Sequence, residues 1–351
     1  MKILYAAQIS ERDSALYRLW ALERLGHTVL SLNSYGYEPR SALLRKVVHR
    51  AQMGPWVARL NRDVLAMAEC ERPEVFWADK LLGLRPETLR ALRTMGIATV
   101  SYMIDNAFGP RRDPGWRLYM QCIPEFDLHV VQRDRNLADY ASCGARDVIK
   151  IQTAYEPTIH FQAESEDPAQ EYVERDATRS RGVSFIGTAY DERPEFLTRL
   201  WREGLPMVVS GDRQWRERLE PDAAAAIYTG GELYGTAYRE AIWDAKINLS
   251  FLTHSNQDEF VHKSFEIAAC GGFLLAERSE GHLQRFVEDE EAVFFSGYEE
   301  CAAKIRQYLP DAAARGRIAT AGRARAVRDG YGNDAQMATI IERMRPLIER
   351  I

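Results

Sequence analysis

Residues 183–212 read VSFIGTAYDERPEFLTRLWREGLPMVVSGD, and that order of residue types admits few folds. A short apolar run, Val183 to Ile186, leads into Gly187 and Thr188. Pro194 suits the first turn of a helix, where its missing N–H costs nothing. Phe196, Leu197, Leu200 and Trp201 give that helix one apolar face. Met207 to Ser210 form a second apolar run, closed by Gly211 and Asp212. Strand, helix and strand in this order make one βαβ unit, which implies two parallel strands with a helix packed across them.

The cadence begins at the N-terminus and is repeated. Lys2–Ala7 reads as a strand, Ser14–Leu25 as a helix stopped by Gly26, and His27–Leu32 as the next strand. Further strands are predicted over 74–78, 97–103, 126–131 and 147–151, with helices stopped at Gly96 and Gly144. Residues 41–70 read as helical. In the second half, strands are predicted in 223–231, 247–252 and 273–276, and helices over 311–328 and 334–350. The fold class is α/β, with two Rossmann-like α/β/α domains facing across a cleft. The expected division is a first domain over 1–165, a polar linker over 166–182, a second domain over 183–333, and a C-terminal helix over 334–351 placed to cross back to the first domain. A chain of 351 residues has room for both domains.

Composition excludes several classes. A net charge of -5 argues against a general nucleic-acid binder. The seven histidines form no HExxH or similar metal motif. The five cysteines are scattered, which fits buried thiols in a reducing compartment. MKILYAAQIS turns polar too soon for a signal peptide, and no stretch is long enough to span a bilayer, so the expected location is cytoplasmic.

Two regions draw attention as chemistry. In HKSFEIAACGGFLLAERSEGH, residues 262–282, Glu266 follows Phe265 on a short apolar helix that ends at Gly271 and Gly272. A carboxylate has only acceptors and can grip two adjacent hydroxyls, as on a ribose; a surface Glu serving the helix dipole would need no ligand. The polar loop 253–262, which includes His254, leads into this helix. Amides after Gly187 could meet a phosphate, or the glycine could simply make a turn. In the first half, the strand over 97–103 exits into IDNAFGPRRDPGWR, which gathers Asp105, Asn106, Arg111, Arg112, Asp113 and Trp116. Asp105 lies nearest the strand and is the leading candidate for a general base, with His160 and Asp13 next. No GxGxxG is present to mark a dinucleotide site.

The motifs FIGTAYDERPEFLTRL, KINLSFLT and KSFEIAACGGFLLAE, followed by RFVEDEEAVFF, resemble the GT-B glycosyltransferases of the group related to the spore-maturation protein CgeB. The likeness is strongest over 183–330; in the first half only SYMIDN offers a matching piece. The resemblance implies transfer of a sugar from a nucleotide-sugar donor, without a tightly bound cofactor or divalent metal. It implies that Glu266 holds the donor ribose and that Lys263, where the family commonly carries Arg, lies near the donor phosphates. Gly187 and Thr188 match the loop close to the diphosphate, and Arg193 joins Lys263 on the leaving-group side. Glu291 matches an acidic residue of the family, although the glycine usual two residues before it is Asp289 here. His254, Phe265, Gly271 and Gly272 complete the donor-side set. The acceptor, which could be a small molecule, a glycan or a protein, is open, as are the stereochemistry and the choice between monomer and homodimer. A sugar-nucleotide 2-epimerase and a non-catalytic, spore- or envelope-associated nucleotide-binding protein are the competing readings.

Overall fold

The computed structural model describes residues 1–111 and 113–349; Arg112 of the polar loop lies outside them. The chain forms two compact units, one of residues 1–152 with 333–351 and one of residues 153–332.

The first unit is built on a six-stranded parallel sheet. Its strands are β1 (Lys2–Ala7), β2 (Thr28–Asn33), β3 (Val75–Asp79), β4 (Ala98–Tyr102), β5 (Leu128–Val131) and β6 (Val148–Lys150), in the order β2-β1-β3-β4-β5-β6. Side chains alternate between the faces. Ile3, Tyr5 and Ala7 join a core that includes Leu19 and Leu22, whereas Leu4 and Ala6 join one that includes Leu60, Val64 and Leu89. Both faces of the central strands β1, β3, β4 and β5 are therefore dry, which is why they read as nearly continuous apolar runs, whereas the edge strands β2 and β6 are only partly covered. The last helix, Asn333–Ile348, belongs to this unit and adds Met337, Ile340, Ile341 and Met344 to the first of those cores. Burying each such side chain is worth about 1.5–3 kcal/mol. Arg24 pairs with Asp334, and Arg343 with Asp147, along its edges.

The second unit has a five-stranded parallel sheet in the order β11-β10-β9-β7-β8. Here β7 is Arg181–Ile186, β8 Met207–Ser210, β9 Ala245–Ser250, β10 Leu274–Glu277 and β11 Val293–Phe295. Ile247, Leu249 and Leu275 face one core and Leu274 and Ala276 the other, so helices again cover both faces.

Three expectations differ from the structure. Residues 166–182 were expected as a linker, but they belong to the second unit, and the first division falls between Gln152 and Thr153. Asp167 caps the helix Pro168–Glu174 by accepting from the Gln170 amide, and Tyr172 is buried, with its hydroxyl bonded to the Lys246 carbonyl. A charged composition concealed that one anchoring aromatic. The strand expected within 223–231 is instead the end of a helix, Pro221–Ile227. A run of alanines behind a first-turn proline favours helix intrinsically. The helical stretch 41–70 is two helices, Ala42–Ala51 and Pro55–Glu71, broken where Gln52 adopts the left-handed conformation ahead of Gly54 and Pro55.

Candidate functional site

In an open parallel sheet, ligands collect at the carboxyl ends of the strands where the strand order reverses. In the second sheet that point lies between β7 and β9. The loop after β7 carries Gly187 and Thr188, and the chain after β9 runs through 251–261 into the helix His262–Ala269. Arg193 ties these two loops together. One side of its guanidinium donates to the Thr188 carbonyl at 3.1 Å, and the other reaches the Leu252 carbonyl and Thr253 Oγ1 at 3.0 and 3.1 Å. Arg193 is buried, and its charge is spent on backbone. His254 forms a second tie, between Glu192 at 2.7 Å and Glu277 at 2.6 Å, while its amide donates to Asp191. Partial burial would lower the pKa of this imidazole, but Glu277, Glu192 and Asp191 hold it above its ordinary value.

Within this frame, Lys263 and Glu266 lie one turn apart on one helix. The Lys263 ammonium donates to the Ile186 carbonyl and sits 5.3 Å from the Phe185 ring centre and 5.7 Å from that of Tyr238. Burial pushes its pKa down to about 8, against the opposing pull of Glu266 and with a further push from Arg193. A side chain at Gly187 would come within 3.1 Å of that ammonium, so the glycine leaves it room. The Gly187 carbonyl is held by the Trp215 indole at 2.6 Å. Glu266 accepts from the Tyr238 hydroxyl at 2.9 Å. Burial alone would raise its pKa, but His160, His262, Lys263 and the tyrosine together hold it below its ordinary value.

His160 was expected with the acceptor-side residues; the structure places it in the second unit beside Tyr238, with ring centres 5.7 Å apart. Its Nδ1 accepts from the Glu156 amide, which leaves the proton of the neutral ring on Nε2. Burial lowers its pKa. Phe265 is fully buried against Phe260, Phe286 and Tyr331 and belongs to the core, so it offers no face to a ligand. Gly271 and Gly272 form a packing corner. Gly271 has a φ of 67°, and a side chain there would meet Gln162; one at Gly272 would meet Ile242. Glu291 accepts from the Val287 amide and pairs with Arg325 at 3.5 Å, closing its own turn. Asp289 holds the left-handed conformation there at φ 60°, a geometry that aspartate tolerates better than most residues, and Lys304 binds its carboxylate. Tyr238 and Trp215 are site components that the linear pattern did not mark, since nothing in it relates them to Glu266 or Gly187.

The remaining candidates are in the first unit. Asp105 pairs with Lys80 at 2.6 Å, and Asp13 accepts from Ser10 and Tyr35 hydroxyls. The reversal of strand order in this sheet lies between β1 and β3. At that point sits a buried pair that the sequence reading did not single out: Arg18 grips Asp79 through two bonds, at 2.5 and 3.0 Å. Among the described residues, no group of three or more His, Cys, Asp or Glu side chains is arranged to hold a metal ion, and no helix is long and apolar enough to cross a membrane.

Comparison with known proteins bears on this geometry. Sucrose-phosphate synthase from Thermosynechococcus elongatus is similar along its whole length, with a TM-score of 0.70, 12% identity and 100% of both chains covered. HepE from Anabaena, solved with UDP-glucose, gives 0.65 at 12% identity over 97% of this chain and 99% of its own. The chain has the GT-B fold. A Listeria monocytogenes protein described as a UDP-N-acetylglucosamine 2-epimerase shares it, with a TM-score of 0.60 at 11% identity over 100% of this chain and 97% of its own. A family model described as glycosyl transferase-like matches residues 192–342, less than half of the GT-B chain. No curated protein matches it.

Proposed function

We propose that the protein transfers a sugar from a nucleotide-sugar donor to an acceptor, and that the second unit holds the donor. The observation that carries this reading is the placement of the Lys263 ammonium and the Glu266 carboxylate on one turn of one helix, both beside Tyr238, at the switch point between β7 and β9 next to the Gly187 turn. A nucleoside diphosphate needs a carboxylate for its ribose diol and positive charge for its phosphates, and this corner has both. In this reading Glu266 grips the ribose, Lys263 and the amides after Gly187 face the diphosphate, and Arg193 and His254 fix the two loops. His160 and Tyr238 orient Glu266. The CgeB-related resemblance fits the same assignment, and UDP is the first nucleotide to try, because HepE was solved with UDP-glucose.

Calorimetric titration with UDP, GDP, ADP, CMP and dTDP tests the reading, and failure of all five to bind would end it. Glu266→Gln should weaken binding of the best ligand about tenfold or more, since a charge-assisted hydrogen bond is worth roughly 1.5–3 kcal/mol. Unchanged affinity would remove the carboxylate from the ribose. On the first unit, we assign Asp105 as the base that takes the acceptor proton. Asp105→Asn should then lower turnover about a hundredfold while nucleotide affinity stays constant. Normal turnover would reduce Asp105 to the partner of Lys80. The 2-epimerase reading draws on the shared fold of the Listeria protein. It would be favoured if incubation with a nucleotide sugar and no acceptor yielded a second sugar nucleotide.

A further inference from the structure

Helix Ala42–Ala51 buries none of its residues, whereas the helix that follows it, Pro55–Glu71, buries Val57, Leu60, Val64 and Ala68. Yet the shorter helix is strongly two-faced. Leu43, Leu44, Val47, Val48 and Ala51 fall on one side at helical spacing, and Arg45, Lys46, His49 and Arg50 on the other. Leu43 is 72% exposed, Val47 52% and Met53, just beyond the helix, 61%. Elsewhere among the described residues exposed large apolar side chains stand singly or, as Leu283 and Val287, in a pair; here Tyr35, Leu43, Leu44, Val47 and Met53 fall within one short stretch. Such a patch needs a cover.

Charge identifies the cover. From Pro39 to Arg62 there are six Lys or Arg residues and no Asp or Glu, in a chain whose net charge is -5. Among the described residues Lys46 and Arg50 have no ion-pair partner, and Arg45 reaches only Glu38, at 3.9 Å. The helix is anchored mainly at its C-terminal end, where His49 bonds Asp113 at 2.6 Å, Gln52 accepts from the Leu118 amide at 2.6 Å and Arg117 donates to the Ala51 carbonyl. Beside that end lies an open groove of about 580 Å³, with Arg50, Arg111, Asp113, Phe108 and Trp116 in its lining; Asp113 faces Arg111 at 3.8 Å and His49 at 2.6 Å, which leaves Arg50 as the groove's unmatched charge among the described residues. Apolar side chains flanked by the cations Lys46 and Arg50 match a surface whose headgroups are anionic and whose interior is hydrocarbon. A protein partner of ordinary polarity would leave the unpaired cations unmatched.

We propose that the first unit docks on an anionic lipid surface through helix Ala42–Ala51, with Leu43, Leu44 and Val47 entering the acyl boundary and Arg45, Lys46 and Arg50 meeting phosphate headgroups. The test is co-sedimentation of the full chain with vesicles of phosphatidylcholine alone and of phosphatidylcholine mixed equally with phosphatidylglycerol. The protein should pellet with the mixed vesicles and stay in solution with the neutral ones. Arg45→Glu/Lys46→Glu and Leu43→Asp/Val47→Asp should each reduce partitioning about tenfold or more, since each cation near such a surface contributes on the order of a factor of five. These residues are exposed, so the melting temperature should not move. Absence of pelleting with mixed vesicles, equal pelleting with neutral ones, or full binding by both variants would overturn the proposal. So would a lipid-free dimer that Leu43→Asp dissociates, because the helix would then be covered by a second copy of this chain.

Discussion

Lys263→Ala is expected to lower turnover by roughly a hundredfold to a thousandfold, the usual cost of losing a preorganised group aimed at charge that grows in the transition state. In the proposed transfer, negative charge accumulates on the departing diphosphate as the bond to the sugar breaks. The Lys263 ammonium sits at the Ile186 carbonyl, at the mouth of the Gly187 turn, and Arg193 cannot replace it because its guanidinium is committed to carbonyls. Nucleoside diphosphate affinity should fall more than nucleoside affinity, and equal losses would place the ammonium away from the phosphates. A pH signature accompanies this. With its pKa lowered to about 8, Lys263 is charged below that pH and loses its proton above it. Diphosphate affinity should therefore hold up to about pH 8 and decline beyond it, since the ligand favours the charged form. Lys263→Arg should remove that decline, because guanidinium stays protonated throughout. A pH-independent affinity in the native protein would show that this lysine does not meet the diphosphate.

The central sheet strands could be read from the sequence because both of their faces are buried. A strand dry on two sides must be apolar along its length, so Val183–Ile186 and Met207–Ser210 declare themselves without any partner in view. Sequential βαβ order then fixes parallel pairing, and the observed registers follow it. Elements held by contacts distant in sequence were hidden. Tyr172 bonds the Lys246 carbonyl, Arg179 the Trp243 carbonyl, and Asp176 pairs with Arg315 and Lys246, so a charged segment is tied to the second unit by partners the linear pattern does not show. The alanines at 223–226 read as a strand because an apolar run has no period of its own, and the proline ahead of them settles the matter physically.

At the candidate site, Glu266 drew attention as an acidic residue on a short apolar helix, while Lys263 was marked only by the family resemblance; the structure puts them one turn apart on the helix His262–Ala269. His160 was singled out but misplaced on the acceptor side, because its neighbour Tyr238 is distant in sequence and only the folded chain joins them. Phe265 shows the opposite error. Adjacent to Glu266 in sequence, it points about 100° away around the helix and into the core. Asp289 is instructive as well: where a glycine was expected, the backbone keeps the glycine conformation, and Lys304 and the Tyr308 hydroxyl hold the carboxylate.

Asp79→Ala should destabilise the first unit by about 3–5 kcal/mol, the cost of leaving one partner of a buried pair uncompensated. Arg18 and Asp79 are each 2% exposed. Asp79 ends β3, and its carboxylate takes two bonds from Arg18 and one from the Tyr5 hydroxyl at 2.5 Å. The Arg18 guanidinium also lies 4.4 Å from the centre of the Tyr102 ring, so four side chains from β1, β3, β4 and the helix Ser14–Arg24 share one charge balance. Removal of the carboxylate leaves a cation in a dry interior with no anion beside it, only the Tyr102 ring and the neutral hydroxyls of Tyr5 and Ser14. Urea denaturation of the full chain should show the loss in the transition of the first unit. The paired replacement Arg18→Met/Asp79→Leu should restore most of it, because an apolar pair of similar volume avoids the desolvation cost altogether. A loss below about 1 kcal/mol in Asp79→Ala, as for an exposed pair, would mean that water reaches the arginine. The double variant also separates stability from function. The pair stands where the strand order of the first sheet reverses, the position at which such sheets bind ligands. A stable double variant with normal turnover would make the pair a structural clamp. A stable one that has lost turnover but still binds nucleotide would give Arg18 and Asp79 a part in setting the acceptor side.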